Sequence, residues 1–393
     1  MNRRFQKVYL SSGFSLLLSV MSLCLLTLSV GCEPDILPVD LSKKPIGKTY
    51  EKYFSVGVAI EPPHLKTFES ILASQFQRLT CENAMKMNRL QPQEGKYTFE
   101  QADKIADYAR KSKKPLTGHT LLWHSSTPAW MFAGLTPGKK QDIELIKKRL
   151  QKHIETVVKR YADVVDNWDV VNEAISDNAN KVFRDDKEGS AWFALFGGND
   201  DGAREYIYWA FKYTKDTLEK IKPGSSKGKL YYNDYNVTQK LDKILKLLKW
   251  LKDERGLKID GVGLQGHWTL DWPSVSTIAS TIDAIVAAGY KVKISELDIT
   301  IYDDYTSSGA LQPEPEKVFS KALEKTQGLR YRELFALFRQ KSQAITSVTF
   351  WGVADDQTWL DGHPVSGRNN FPLLFNDKHQ PKDAAFAIVQ FEE

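Results

Sequence analysis

Eight short β-branched runs recur along the chain, separated by amphipathic stretches, and this alternation limits the fold more than any other feature. The runs are Phe54–Ile60, Gln77–Cys81, Pro115–Leu122, Val165–Val171, Lys229–Asn233, Gly261–Gln265, Lys291–Glu296 and Ser347–Trp351. Helical periodicity between them is clearest at Gln141–Tyr161, Gln239–Arg255 and Pro315–Arg339. Eight strands alternating with helices predict an α/β fold, a single-domain (β/α)8 TIM barrel, and the length suits one with loop insertions. A doubly wound open sheet shares the alternation. No strand, however, is followed by a G-x-G-x-x-G turn or a P-loop, which removes the usual reason to prefer that sheet.

The first 31 residues read as an address rather than as part of the fold. Arg3, Arg4 and Lys7 precede an apolar run from Phe14 to Val30, the pattern of a secretory leader. The run ends in Leu28-Ser29-Val30-Gly31-Cys32, which resembles a bacterial lipoprotein cleavage box, so Cys32 is the expected lipidation site. Residues 32–49, with Pro34, Pro38 and Pro45 among charged residues, read as a tether, and 50–393 as the catalytic domain. The expected location is therefore outside the cytoplasm, lipid-anchored to a bacterial membrane. Of the 54 basic side chains, 51 remain against 49 acidic ones once the leader is removed. A body that close to neutral lacks the basic field of a nucleic-acid binder. Three cysteines make no disulfide framework, and Cys81 is the one in the body of the protein.

In such barrels the chemistry sits at the C-terminal ends of the strands. The end of the first strand offers nothing. The others read Thr80-Cys81-Glu82-Asn83-Ala84-Met85-Lys86, Gly118-His119-Thr120-Leu121-Leu122-Trp123-His124 and Trp168-Asp169-Val170-Val171-Asn172-Glu173. Then follow Tyr231-Tyr232-Asn233-Asp234-Tyr235-Asn236, Gly263-Leu264-Gln265-Gly266-His267, Ile294-Ser295-Glu296-Leu297-Asp298 and Phe350-Trp351-Gly352-Val353-Ala354-Asp355-Asp356. Glu173 and Glu296 each end an apolar strand, and two facing carboxylates cleave a glycosidic bond, one as proton donor and the other as nucleophile or base. Trp123, Trp351 and Trp359 lie at strand ends or in the last long loop, where flat indoles suit the apolar faces of sugar rings. Trp192, Trp209 and Trp250 fall in helical patterns and read as packing. His119 and His124 raise a metal reading, but there is no H-E-x-x-H and no Cys/His cluster of zinc spacing. No G-x-S-x-G elbow supports serine chemistry.

Taken in order from Tyr53 to the C-terminus, these motifs resemble glycoside hydrolase family 10, whose members are mainly endo-β-1,4-xylanases. The resemblance implies a (β/α)8 barrel that hydrolyses xylan with retention of configuration and needs neither a metal nor an organic cofactor. It implies Glu173 as general acid/base, Glu296 as nucleophile, and His267 oriented by Asp298 to support the nucleophile. It further implies that Asn172 binds the sugar 2-hydroxyl. Glu82, Asn83, Lys86, His119, Trp123 and Gln265 would line the non-reducing-side subsites under Trp351 and Trp359, and Tyr235 the leaving-group side. Ser295 stands where the family commonly has threonine. The expected partners are xylan and xylo-oligosaccharides, with a membrane through the lipid and with no nucleic acid, for a monomeric protein.

Overall fold

The computed structural model describes residues 35–221, 228–303 and 313–392. The proposed leader and Cys32 lie outside them. Eight parallel strands close into a barrel in sequence order: β1 (Ser55–Ile60), β2 (Arg78–Cys81), β3 (Leu116–Trp123), β4 (Val165–Asn172), β5 (Lys229–Asp234), β6 (Gly261–Thr269), β7 (Lys291–Thr300) and β8 (Ile345–Phe350). Closure comes from β8 pairing with β1, with Ser55 opposite Ser347 and Val58 opposite Phe350. Each strand is followed by a helix that covers the sheet. These are α1 (Glu69–Gln75), α2 (Glu100–Ser112), α3 (Lys140–Tyr161), α4 (Asp200–Ile221), α5 (Val237–Asp253), α6 (Val275–Ala287), α7 (Lys321–Gln340) and α8 (Asp383–Val389).

The helices take their place because one stripe of each is apolar. In α3 the buried positions include Ile146, Leu150, Ile154, Val157, Val158 and Tyr161, and in α5 Ile244, Leu247, Leu248 and Leu251. Three- and four-residue spacing puts each set on one face, against strands buried on both sides. Trp192 is fully buried, whereas Trp209 and Trp250 are half-buried under Lys147 and under Arg204 and Arg255. Cys81 is a free, buried thiol in β2.

The structure departs from the sequence expectation at four places. α7 begins at Lys321, not Pro315, because Pro313 and Pro315 disfavour helix in the residues before them and the Ser320 hydroxyl caps the Leu323 N–H at 3.3 Å. β6 and β7 run on past Gln265 and Glu296, pairing His267 with Asp298 and Thr269 with Thr300 beyond a register shift. The expected tether is shorter than 32–49, since Leu41, Ile46 and Gly47 are buried and Ile46–Tyr50 forms a helical turn in the core. The end of β1 is also not empty: Glu61 follows it directly and accepts the Asn83 backbone N–H at 2.7 Å. Among the described residues no helix is long and apolar enough to cross a membrane.

Candidate active site

The upper ends of the strands enclose a cavity of about 570 Å³. Its walls hold Glu82, Asn83, Lys86, His119, Trp123, Asn172, Glu173, Tyr235, Gln265, His267, Glu296, Asp298, Trp351 and Trp359. Every sequence-predicted site residue within the described chain is thus brought to one place. Asp177, Asn236, Thr269, Trp272, Thr300, Leu360 and His363 complete the lining, and the sequence reading had singled out none of them.

Glu173 is half-buried and Glu296 buried, and both hold the left-handed backbone that non-glycine residues avoid, at φ +55° and +59°. Their surroundings differ. Glu173 Oε1 accepts from Asn172 and Gln265 at 3.0 Å each, and Oε2 accepts from the Trp123 indole at 2.8 Å. Burial, followed by the charge of Asp234 and with a smaller part from Glu296, nonetheless holds its pKa above the usual carboxylate range. Glu296 Oε1 accepts from the Asn233 amide at 2.6 Å, and Oε2 lies 3.2 Å from His267 Nε2. Burial works against ionisation here too, but the His267 hydrogen bond and the charges of His119 and His267 outweigh it and hold the Glu296 pKa low. His267 Nδ1 lies 2.9 Å from both Asp298 oxygens. Burial disfavours its imidazolium, yet Asp298 and Glu296 together raise the His267 pKa to about 10. The ring is therefore charged and donates on both sides.

Amides connect the two carboxylates. Gln265 bridges Glu173 and the Asn172 oxygen, and Asn233 bridges that same oxygen and Glu296. Asn233 was not singled out from sequence. It is held by the Ser295 hydroxyl at 2.5 Å and by Gly263, where a Cβ would lie 2.2 Å from the Asn233 Oδ1. Serine in place of the family's usual threonine therefore still supplies the donor.

The remaining groups are anchored with equal economy. Lys86 donates to Asn83 at 2.7 Å and lies 4.8 Å over the Trp123 ring. Burial, with Glu61 nearby, raises the Glu82 carboxyl to about 7. Trp359 donates to Asp298 at 2.9 Å and stands edge-on to His267, and Trp351 stands edge-on to His119. His119 Nδ1 lies 3.0 Å from Asp169, whose other oxygen is 2.6 Å from the buried Lys293. His124 belongs to neither carboxylate. Burial and then the charge of Arg184 depress its pKa to about 3, so it is neutral. Tyr235 bonds Asp177 and Arg184 on the β4–β5 side of the cavity.

The family model for glycosyl hydrolase family 10 matches residues 46–391. The chain belongs to that family. Among its relatives, the β-1,4-xylanase of Dictyoglomus thermophilum is 37% identical over 385 residues, covering 97% of this chain and 100% of the relative. Endo-1,4-β-xylanase A of Caldicellulosiruptor saccharolyticus is 38% identical over 351 residues, covering 88% and 95%. Xylanase B from Clostridium stercorarium superposes with a TM-score of 0.78 at 34% identity, covering 88% of this chain and 99% of that one. A solved mutant in complex with xylotriose superposes at 0.76 with 37% identity, covering 88% and 99%.

Proposed function

We propose that this protein is an endo-1,4-β-xylanase that cleaves internal β-1,4-xylosidic bonds with retention of configuration, Glu173 acting as acid/base and Glu296 as nucleophile. The observation that carries the reading is the opposite poise of two carboxylates in one cavity, one pushed towards its protonated form and the other towards its ionised form. That is the arrangement a proton donor and a nucleophile require. The named xylanases among its relatives and the xylotriose complex of a similar structure support xylan as the substrate class.

In the first step Glu173 gives its proton to the glycosidic oxygen while a Glu296 oxygen bonds to the anomeric carbon and the carbon–oxygen bond breaks. Glu173, now a carboxylate, then takes a proton from water. The water oxygen attacks the anomeric carbon and releases Glu296. His267 and Asn233 hold Glu296 ionised and aimed, and Asn172 is placed to bond a sugar hydroxyl beside both carboxylates. Trp351 and Trp359 supply flat apolar surface for the sugar rings. The test is proton NMR of xylo-oligosaccharide hydrolysis. The β-anomer appearing first supports the reading, and the α-anomer appearing first overturns it. Comparing initial rates on xylan, carboxymethylcellulose and mannan checks the substrate class.

Export with lipid attachment at Cys32 is proposed on the Leu28–Cys32 motif. Labelled palmitate should enter the wild-type protein but not Cys32→Ser.

A further inference from the structure

The left-handed backbone at Glu173, φ +55°, is one that a non-glycine residue keeps only when its neighbours hold it there. The Glu173 N–H is fixed on the Asn233 carbonyl at 2.9 Å. The next two N–H groups, of Ala174 and Ile175, both end on a single atom, the Tyr232 hydroxyl oxygen, at 3.1 and 3.0 Å. That hydroxyl donates its own proton to Asp234 at 2.5 Å. Two accepted bonds and one donated use its full capacity, so the oxygen has a single arrangement available. Asp234 is completely buried and is paired with the buried Lys240 at 2.9 Å.

These three residues lie behind the site, not in it. Asn233 reaches Glu296, so Tyr232 and Asp234 project from the opposite face of β5, towards α5, which carries Lys240. None of the three lines the cavity. A tyrosine buried only for packing would need one partner for its hydroxyl. This one instead ties down the two peptide units directly after the general acid.

We infer that Tyr232 is a positioning residue for Glu173, its hydroxyl clamped by Asp234 and Lys240 so that the carboxyl keeps the angle from which it protonates the leaving oxygen. The inference rests on the reading of Glu173 as acid/base. It names a residue that touches neither substrate nor the carboxyls of Glu173 and Glu296 and acts through the backbone. Misplacement of a catalytic group by about 1 Å costs on the order of 100-fold in rate. The loss should fall only on substrates that need the proton.

The experiment compares kcat/KM of Y232F on phenyl β-xylobioside and on 2,4-dinitrophenyl β-xylobioside, whose leaving phenolate departs without protonation. Both constants report formation of the glycosyl-enzyme. The expected result is a roughly 10- to 100-fold fall on the phenyl substrate, with less than about threefold on the dinitrophenyl one. Parallel falls on both substrates, or no fall on either, overturn the inference. Retained dinitrophenyl activity also shows that the variant is folded. If Y232F does not fold, 4-aminophenylalanine at position 232 keeps the bond to Asp234 while accepting poorly from Ala174 and Ile175, and the same substrate-selective loss is expected. E173A on the two substrates separates the underlying reading. Equal losses there would reject Glu173 as acid/base, whereas a selective loss with unselective Y232F would reject only the role of Tyr232.

Discussion

The residue after β4 and the middle of β7 carry the same side chain, on the same left-handed backbone, in the same cavity, yet their surroundings push its pKa in opposite directions. Glu173 has three hydrogen-bond donors, all neutral, and a buried carboxylate, Asp234, behind it. Glu296 has two donors, one of them His267, whose pKa Asp298 and Glu296 raise to about 10 against the cost of burial. Hydrogen-bond count does not decide protonation here. Burial penalises ionisation at both sites; at Glu173 the Asp234 charge adds to it, whereas at Glu296 the His267 hydrogen bond and the charges of His119 and His267 outweigh it.

The comparison breaks most completely at Glu296, the proposed nucleophile. E296A should lower kcat on xylan by on the order of 10⁴-fold or more, and substantial residual turnover would reject the assignment. E173A should cost roughly 10²–10⁴-fold on substrates with poor leaving groups and much less on dinitrophenyl xylobioside. Added azide should restore turnover and give a β-xylosyl azide, detectable by mass spectrometry; no rescue and no selectivity would argue against it.

Removing the charge beside Glu296 sharpens the contrast. H267A should lower kcat/KM by about 100-fold and move the acid limb of its pH profile to higher pH. The sign follows from the requirement that Glu296 be ionised: without the imidazolium its pKa rises, so activity is lost sooner on acidification. An unmoved acid limb would show that His267 does not set that titration. The smallest effect belongs to D234N. Glu173 works as the acid only while protonated, and losing the Asp234 charge lowers its pKa. The basic limb should then retreat to lower pH, with only a modest change in rate at the optimum, because the asparagine keeps an oxygen to accept from Tyr232 and Lys240 keeps Asp177 at 3.0 Å. A basic limb that stayed in place would assign the elevation to burial alone.

Much of this site was legible before the structure. The strands were visible because apolar residues recur with the spacing a buried sheet needs, and the site because Glu173, His119 and Glu296 interrupt those apolar runs. Glu61 was missed because Pro62 and Pro63 follow it and read as a turn, whereas its function is to hold the Asn83 backbone across β2. Asn233 lay in a quoted strand end but carried no mark of its own. Its importance comes from bridging Asn172 on β4 and Glu296 on β7, a relation between distant parts of the chain. The extensions of β6 and β7 were hidden by the register shift at Gln265–His267, where polar site residues interrupt the apolar pattern.

The sequence by itself determined the strand–helix order, the barrel and which side chains stand at its mouth, because these follow from local periodicity and from short motifs. Only the tertiary structure decided which way the pKa of each carboxylate is pushed, and which hydroxyl behind the sheet receives the two N–H groups after Glu173. Both depend on burial and on charges and donors brought together from strands far apart in sequence.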